Sequence, residues 1–314
     1  MRLWFSPTES QCIAYALHTG YDFPISLQRR LFDLNISLTL IQHSDLPSVR
    51  GLNTFKSINK RLFEYLTPLI EPKPANMPIS YLNSKIFHII SYPIDVSQYI
   101  TDILRLRDKQ LPPPIFIWEP TPECASREYM QSWIEAMKLV DIISPNHEEI
   151  AAVLGLISED YKKNEHLLNN EMLRHMADKL LEHQIGSHGK GCVIIRASRK
   201  GCLVATKERK EIIPAYWEPL KDGNDNPSVM DVTGAGNSFC GGLMVGLLKS
   251  NFDIFKAALY GTISASFTIE QIGVPRFKIN EQGVETWNSG DNPQSRLQNL
   301  KLKIENTLNI NELG

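Results

Sequence analysis

A glycine-rich turn near residue 231 has the composition of an anion-binding site. Residues Asp231–Phe239 have the sequence Asp-Val-Thr-Gly-Ala-Gly-Asn-Ser-Phe and lead into a long stretch of small and apolar residues. Gly234 and Gly236 let the backbone turn tightly, and unpaired N–H groups at the start of the following helix can then approach a ligand. Together with the helix dipole, these groups favour a phosphate. The alternative, a turn whose glycines serve packing alone, stays open on this evidence.

A second polar segment, Ser144–Glu149, has the sequence Ser-Pro-Asn-His-Glu-Glu. Asn146 followed three residues later by Glu149 is typical of a helix N-terminus, where each side chain bonds a backbone N–H group near the other residue. Neither this segment nor the glycine turn contains a P-loop pattern or the Gly-x-Gly-x-x-Gly pattern of dinucleotide folds. A dinucleotide-dependent oxidoreductase is therefore disfavoured.

The composition is that of an ordinary globular protein. Of the 314 residues, 42% are hydrophobic and 22% are charged, and the formal net charge is -2, which argues against a nucleic-acid or membrane-surface binder. No apolar run approaches the roughly 18 residues of a membrane span. The cysteines are odd in number and scattered, which indicates reduced thiols in a cytoplasmic or nuclear protein; they are Cys12, Cys124, Cys192, Cys202 and Cys240.

Strand-length apolar runs alternate with helical stretches, which predicts an α/β fold with a doubly wound, mostly parallel sheet. The short apolar segments after residue 192 predict an antiparallel edge. The predicted strands are Ile36–Gln42, Lys85–Ile90, Ile115–Trp118, Val140–Ile143 and Cys192–Arg196. The predicted helices are Asp95–Arg107, Ser126–Leu139, Asn146–Leu156 and one near Asn170–Gln184.

Several segments lie outside this pattern. Gly51–Pro78 is rich in proline and predicts a flap over the sheet edge, while 158–190 is a polar insertion. Ser6-Pro7-Thr8-Glu9 predicts a helix start, so we expect the chain to begin in a helix with no strand before it, as a truncated or alternatively started product would. We predict one domain over 1–283 and a docked helical tail over 284–314, with Leu297, Leu300, Ile304 and Leu308 on one face.

The segment DVTGAGNSFCGGL resembles the C-terminal signature of the pfkB/ribokinase family at nearly every position. Asn146 to Glu149 resembles its N-x-x-E motif, Val193–Ala205 its ATP-side strand pair, and Gly261–Pro275 its closing helix near the adenine. YLTP, FIWEP and VDIISPNHEE make the chain most similar to the fungal killer-maintenance branch. The resemblance implies a ribokinase-like fold with an incomplete lid and an ATP-dependent carbohydrate kinase.

The resemblance also implies roles for individual residues. Gly234, Ala235 and Gly236 would form the anion hole, and Asn146 with Glu149 would orient waters around Mg²⁺. The nucleotide would contact the glycine turn and the strand pair, through Asn146, Arg196, Ser198, Gly201, Thr233, Gly234 and Gly236. A sugar-like or nucleoside-like acceptor would face Arg50, Asn53 and Glu119, although a solvated loop is the alternative for the first two.

Three departures from the family pattern bear on activity. Asn237 stands where the family has the aspartate that accepts the acceptor's proton, and an amide has no useful basicity. The family's first strand and its sugar-gripping di-glycine are absent, and only Gly201 survives from the glycines of the ATP-side turn. The sequence thus leaves two hypotheses: a weak ATP- and Mg²⁺-dependent kinase, and a nucleotide-binding relative that acts through protein partners.

Overall fold

The N-terminal part of the chain forms two small sheets. The computed structural model describes residues 1–57, 60–156, 168–279, 281, 284–288 and 290–312. Strand β1 (Ala14–Thr19) pairs in parallel with β2 (Ser37–Gln42), and helix α1 (Ile25–Asp33) connects them. An antiparallel hairpin of β3 (Gly51–Ser57) and β4 (Lys60–Tyr65) lies within the predicted flap.

The expected N-terminal helix is wrong. The reciprocal Ser6–Glu9 cap forms, with Ser6 N–H donating to Glu9 Oε2 at 3.0 Å and Glu9 N–H donating to Ser6 Oγ at 3.3 Å. However, only a 3₁₀ turn (Glu9–Cys12) follows before β1 begins. Inside this turn the Ser10 hydroxyl lies 2.7 Å from Pro7 O and 2.6 Å from Asn35 O, which ties the turn to the segment just before β2. A capping signal without an apolar helical face behind it does not propagate.

The central sheet has six strands in the order β10-β9-β8-β7-β6-β5. Strands β5 to β8 are parallel, and β9 and β10 form the antiparallel edge, as the sequence predicted. The strands are β5 (Ile86–Ser91), β6 (Ile115–Pro120), β7 (Ile142–Ile143), β8 (Cys192–Arg196), β9 (Cys202–Ala205) and β10 (Lys210–Ile213). The run Ile36–Gln42, expected in this sheet, instead forms β2 of the separate two-stranded sheet, and none of its strand residues is fully buried.

Helices cover both faces of the central sheet, and alternate strand residues contact opposite layers. Val193 and Ile195 of β8 pack towards one layer of helices: α3 (Pro93–Leu106), α4 (Met130–Met137), α5 (His147–Val153) and α6 (Asn170–Leu181). Ile194 faces the other layer, which contains α7 (Ala235–Lys249), α8 (Ile254–Thr268) and α9 (Pro293–Glu312). The short helix α2 (Ile79–Leu82) precedes β5. The predicted doubly wound mixed fold is therefore confirmed.

The C-terminal tail forms α9, and its Leu297 and Leu300 are buried against the body. The side chain of Leu308 lies outside the described part of the chain. The predicted boundary between residues 283 and 284 falls between β11 (Phe277–Ile279) and its antiparallel partner β12 (Glu285–Trp287), and the division into two parts stays a prediction. Among the described residues, no helix is both long enough and apolar enough to cross a membrane.

Candidate functional site at the carboxyl ends of the parallel strands

The glycine turn (Thr233–Gly236) joins an irregular segment to α7. Gly234 has a φ of +81°, a left-handed conformation that glycine adopts without the steric cost of a side chain. Asp231 Oδ1 accepts the Thr233 N–H at 2.9 Å, so this carboxylate stabilises the turn. The Ser238 hydroxyl donates to Ser264 O at 2.9 Å and accepts from Thr268 Oγ1 at 2.8 Å, which anchors the start of α7 on α8.

Polar residues on four adjacent parallel strands form a strand-end cluster (His88, Glu119, Ser144 and Arg196). Glu119, Ser144 and Arg196 lie at the carboxyl ends of β6, β7 and β8, and His88 lies in the middle of β5. Two residues before each of them is an isoleucine that packs against the layer of α7 and α8. These isoleucines are Ile86, Ile117, Ile142 and Ile194. Because strand side chains alternate between faces, all four polar residues lie on the side of the sheet that α7 covers. The carboxyl edge of a parallel sheet is where open α/β folds bind ligands.

Glu119 is the centre of a buried ion network. Its Oε2 lies 2.9 Å from His88 Nε2, and its Oε1 lies 2.8 Å from Arg196 Nη1. Arg196 Nη2 also donates to Ser144 O at 3.0 Å. Burial alone would raise the pKa of Glu119, but the His88 hydrogen bond and the Arg196 charge hold it below its usual range. Burial disfavours the His88 cation, yet nearby Cys240 and Glu119 raise the pKa of the imidazole to about 10.

The guanidinium group of Arg196 lies directly against the glycine turn. A Cβ atom built on Gly236 would stand 1.9 Å from Arg196 Nη1 and 3.3 Å from Glu119 Oε1. A side chain at 236 would therefore displace the Arg196 guanidinium, independently of any bound phosphate. The same contact places a fixed cation beside the backbone N–H groups at the start of α7.

Asn146 and Glu149 form the predicted capping box at the start of α5. Asn146 Oδ1 accepts the Glu149 N–H at 2.8 Å, while Glu149 accepts the Asn146 N–H at 2.8 Å and its side-chain amide at 2.6 Å. Burial raises the pKa of Glu149 to about 7, although Arg196, 3.7 Å away, and the Asn146 N–H act in the opposite direction. Since both carboxylate oxygens are engaged, this geometry suits contact with Mg²⁺ through water better than direct ligation.

The other predicted residues occupy different environments. Ala235 is the first residue of α7, and Thr233 and Asn237 are exposed at the turn. Ser198 and Gly201 lie in the turn between β8 and β9, with φ of +52° and +87°. A Cβ at Gly201 would stand 2.0 Å from Ile213 O, so this glycine has a packing role.

The predicted acceptor residues are divided between the two parts of the fold. Glu119 joins the strand-end cluster, whereas Arg50 is exposed and pairs with Asp22 at 2.5 Å, between Oδ2 and Nη2. Asn53 lies in β3, and its side chain is outside the described part of the chain. Among the contacts of the described residues, none links Arg50, Ser198 or Gly201 to the strand-end cluster.

Sequence reasoning missed His88 and Cys240. Cys240 is fully buried on α7, and its thiol lies 3.7 Å from the Ser144 hydroxyl. The signal for His88 was a lone histidine within the apolar run IFHII, on the same strand face as Ile86. An unpaired histidine in a buried strand is costly, so its presence indicates a partner on the neighbouring strand.

Taken together, the mixed sheet and the glycine turn at its carboxyl edge define a ribokinase-like α/β protein. The sequence model of the pfkB family of carbohydrate kinases matches residues 119–277, which contain most of the strand-end cluster and the whole glycine turn. The chain belongs to this family, and its fold is that of a carbohydrate or nucleoside kinase.

Relatives and a solved structure agree with this assignment. The chain is 31% identical to an uncharacterized protein of Schizosaccharomyces pombe, over 96% of this chain and 82% of the relative. It is 28% identical to the protein MAK32 of Saccharomyces cerevisiae, over 89% of this chain and 76% of the relative. A ribokinase II structure from E. coli, solved with ATP and Mg²⁺, shares the fold with a TM-score of 0.60 at 13% identity, over 96% and 87% of the two chains.

Proposed function

We propose that this protein binds ATP with Mg²⁺ and transfers the terminal phosphoryl group slowly to a hydroxyl of a sugar-like or nucleoside-like molecule. One observation carries the proposal: the glycine turn begins α7 at the carboxyl edge of the sheet with the Arg196 guanidinium against Gly236. Membership of the pfkB family supports the reaction class. An E. coli neighbour of the same fold, solved with ATP and Mg²⁺, supports the nucleotide.

In this proposal the backbone of the glycine turn stabilises the phosphoryl group. The N–H groups of Gly234 and Gly236 are at the positive end of α7, while that of Ala235 donates to Val232 O at 3.2 Å and would exchange this partner for a phosphate oxygen. Fixed donors of this kind supply much of the catalysis in phosphoryl transfer. Arg196 adds a cation, and its position is fixed by Glu119 and by the carbonyl oxygen of Ser144. Asn146 and Glu149 would orient waters of the ion that the nucleotide phosphates hold.

The proposed slowness follows from Asn237. This exposed residue occupies the third position of α7, where the family has its proton-accepting aspartate, and its amide cannot accept the proton of an attacking hydroxyl. A positioned base contributes about 10²–10⁴-fold to the rate. Asp231 does not replace it, because its carboxylate accepts the Thr233 N–H inside the turn.

A second candidate function is a nucleotide-binding protein that has lost efficient chemistry and acts through protein partners. The observation that favours it is the engagement of Glu119, whose two oxygens are occupied by His88 and Arg196. Each oxygen of Glu119 is thus shared with a charged partner, which weakens its ability to grip a neutral sugar hydroxyl. This candidate shares ATP binding with the first and differs from it in the acceptor.

The variant Asn237→Asp tests the proposal. A carboxylate at the start of α7 is favoured by the helix dipole and would be ionised near neutral pH, ready to accept a proton. We expect phosphoryl transfer from ATP to a panel of sugars and nucleosides to rise by about 10²-fold. Asn292→Asp is the matched control, since Asn292 caps α9 through its bond to Gln294 N–H at 2.8 Å, away from the glycine turn.

Three outcomes would contradict the proposal. Unmodified protein that already turns over at the roughly 1–100 s⁻¹ of ordinary kinases would show that Asn237 does not limit the reaction. Intact ATP binding without any transfer, in both the unmodified protein and Asn237→Asp, would favour the binding protein instead. Absence of ATP binding in the folded protein would refute both candidates.

A further inference from the structure

Three potential metal ligands from three elements converge beneath the glycine turn. His88 of β5, Glu119 of β6 and Cys240 of α7 place their ligand atoms within 4.8 Å of one another. An imidazole nitrogen, a carboxylate oxygen and a thiolate sulfur are the ligands that zinc takes in proteins. Ligand atoms in a tetrahedral zinc site are about 3.3–3.8 Å apart. His88 Nε2 and Glu119 Oε2, now 2.9 Å apart, would therefore separate slightly, and any longer distance in the group, up to 4.8 Å, would shorten.

The surroundings hold these ligands in place. Glu119 and Cys240 are 7% and 0% exposed, and the His88 side chain is 15% exposed. Glu119 Oε1 is held by Arg196 Nη1 at 2.8 Å, which leaves Oε2 directed at His88. Outer partners that orient ligand side chains in this way are a regular feature of protein metal sites.

The charges of the cluster also suit a divalent cation. With neutral His88, the anions of Glu119 and Cys240 would balance the two charges of the ion. Arg196 and Glu149, with Nη2 and Oε2 3.7 Å apart, would then form a separate balanced pair. With zinc bound to one carboxylate and one thiolate, no uncompensated charge would remain buried.

We propose that His88, Glu119 and Cys240 form a zinc site in which the fourth ligand is water. The ion joins β5, β6 and α7 just below the glycine turn, where Arg196 lies against Gly236. This role is distinct from that of a Mg²⁺ held by nucleotide phosphates, because a thiolate and an imidazole favour zinc over magnesium. The competing account is a hydrogen-bonded chain of thiol, imidazole and carboxylate that holds no metal.

Cobalt substitution of the full chain tests the proposal without any mutation. After removal of metals by a chelator, Co²⁺ added to the folded protein should bind one per chain. It should also show the near-ultraviolet charge-transfer absorption of a cobalt–thiolate bond with visible bands of a tetrahedral ion. Zn²⁺ should displace it, with a dissociation constant in the micromolar range or tighter measured against a chromophoric chelator. Failure to bind, or a cobalt spectrum without the thiolate absorption, would overturn the proposal.

Cysteine variants identify the thiolate. Cys240→Ser should weaken Zn²⁺ binding at least tenfold, measured in protein whose circular dichroism matches that of the unmodified chain. Cys202→Ser is the matched control, because Cys202 is also buried but lies on β9, outside the three-ligand group. Cys12→Ser controls for the exposed thiol. Retained affinity in Cys240→Ser, or equal loss in either control, would assign the metal to another place and refute the site.

Discussion

Replacing Gly236 by alanine should disrupt the Arg196–Glu119 ion pair. The new Cβ would lie 1.9 Å from Arg196 Nη1, whereas ordinary contacts begin at 3.4 Å. The start of α7 has little freedom to retreat, since a Cβ at Gly242, nearly two turns later, would stand 2.2 Å from Ser264 Oγ of α8. The guanidinium must therefore move by more than 1 Å, roughly the difference between those contacts, and its 2.8 Å contact with Glu119 is lost.

The expected loss of stability depends on the contacts that remain after the guanidinium has moved. Deleting one partner of a buried ion pair costs about 3–5 kcal/mol because the other charge is left without compensation. Here Arg196 is displaced and not deleted, and His88 still bonds Glu119 at 2.9 Å. We expect Gly236→Ala to lower the free energy of unfolding by about 1–3 kcal/mol, in the range of a lost charged hydrogen bond. Affinity for ATP should fall as well, because the guanidinium no longer lies at the turn.

A double-mutant cycle with Arg196→Met isolates the contact. If the clash with the guanidinium is the cause, Gly236→Ala should cost much less in the Arg196→Met background, with a coupling energy of about 1–3 kcal/mol in urea unfolding. Gly234→Ala is the control: its φ of +81° makes alanine unfavourable, but its nearest described neighbour is Thr268 Cγ2 at 3.7 Å. It should be destabilising without coupling to Arg196. A coupling below about 0.5 kcal/mol for Gly236→Ala would refute the reasoning.

Two further predictions concern the predicted metal and nucleotide segments. Glu149→Ala should remove the capping box at a cost of about 1 kcal/mol and should also weaken Mg²⁺-dependent ATP binding, measured by calorimetry with and without the ion. The exposed Glu148→Ala in the same turn should do neither, and an unchanged Mg²⁺ dependence in Glu149→Ala would leave the cap as its only role. Gly201→Ala should destabilise by more than about 2 kcal/mol, because its Cβ would meet Ile213 O at 2.0 Å. Gly223→Ala, with a φ of +84° and no neighbour within 4 Å, should cost only about 1 kcal/mol, and equal costs in urea unfolding would contradict the packing role of Gly201.

The central sheet could be predicted because its strands are buried on both faces and therefore continuously apolar. The run CVIIR became β8 within the predicted limits, and the segments after it became the antiparallel edge. By contrast, β1 has the sequence AYALHT with only Thr19 fully buried, so no apolar run announces it. The reciprocal Ser6–Glu9 bonds formed as predicted, yet a cap cannot stabilise a helix that has no buried face.

The sequence predicted the backbone features of the site but not which side chains pair with one another. The glycine turn and the Asn146–Glu149 cap depend on local sequence. In the cap, for example, each hydrogen bond joins residues only three positions apart. His88, Glu119 and Arg196 are separated by 31 and 77 residues along the chain, and the register between β5 and β6 brings the first two together. Pairings of this kind depend on strand order, which a single sequence specifies only through the completed fold.

The occupancy of Glu119 restricts how an acceptor could bind. Its buried carboxylate already lies 2.9 Å from His88 Nε2 and 2.8 Å from Arg196 Nη1, so a sugar hydroxyl would have to share these oxygens with two charged partners. A neutral hydroxyl is a weaker partner than a cation in a site of low polarity, so it would gain little from Glu119. The resemblance assigns Glu119 to the acceptor, whereas its contacts assign it to fixing Arg196 at the glycine turn. An acceptor must then be bound by groups other than Glu119, and Asn237 is the exposed polar side chain nearest along the chain to Gly236.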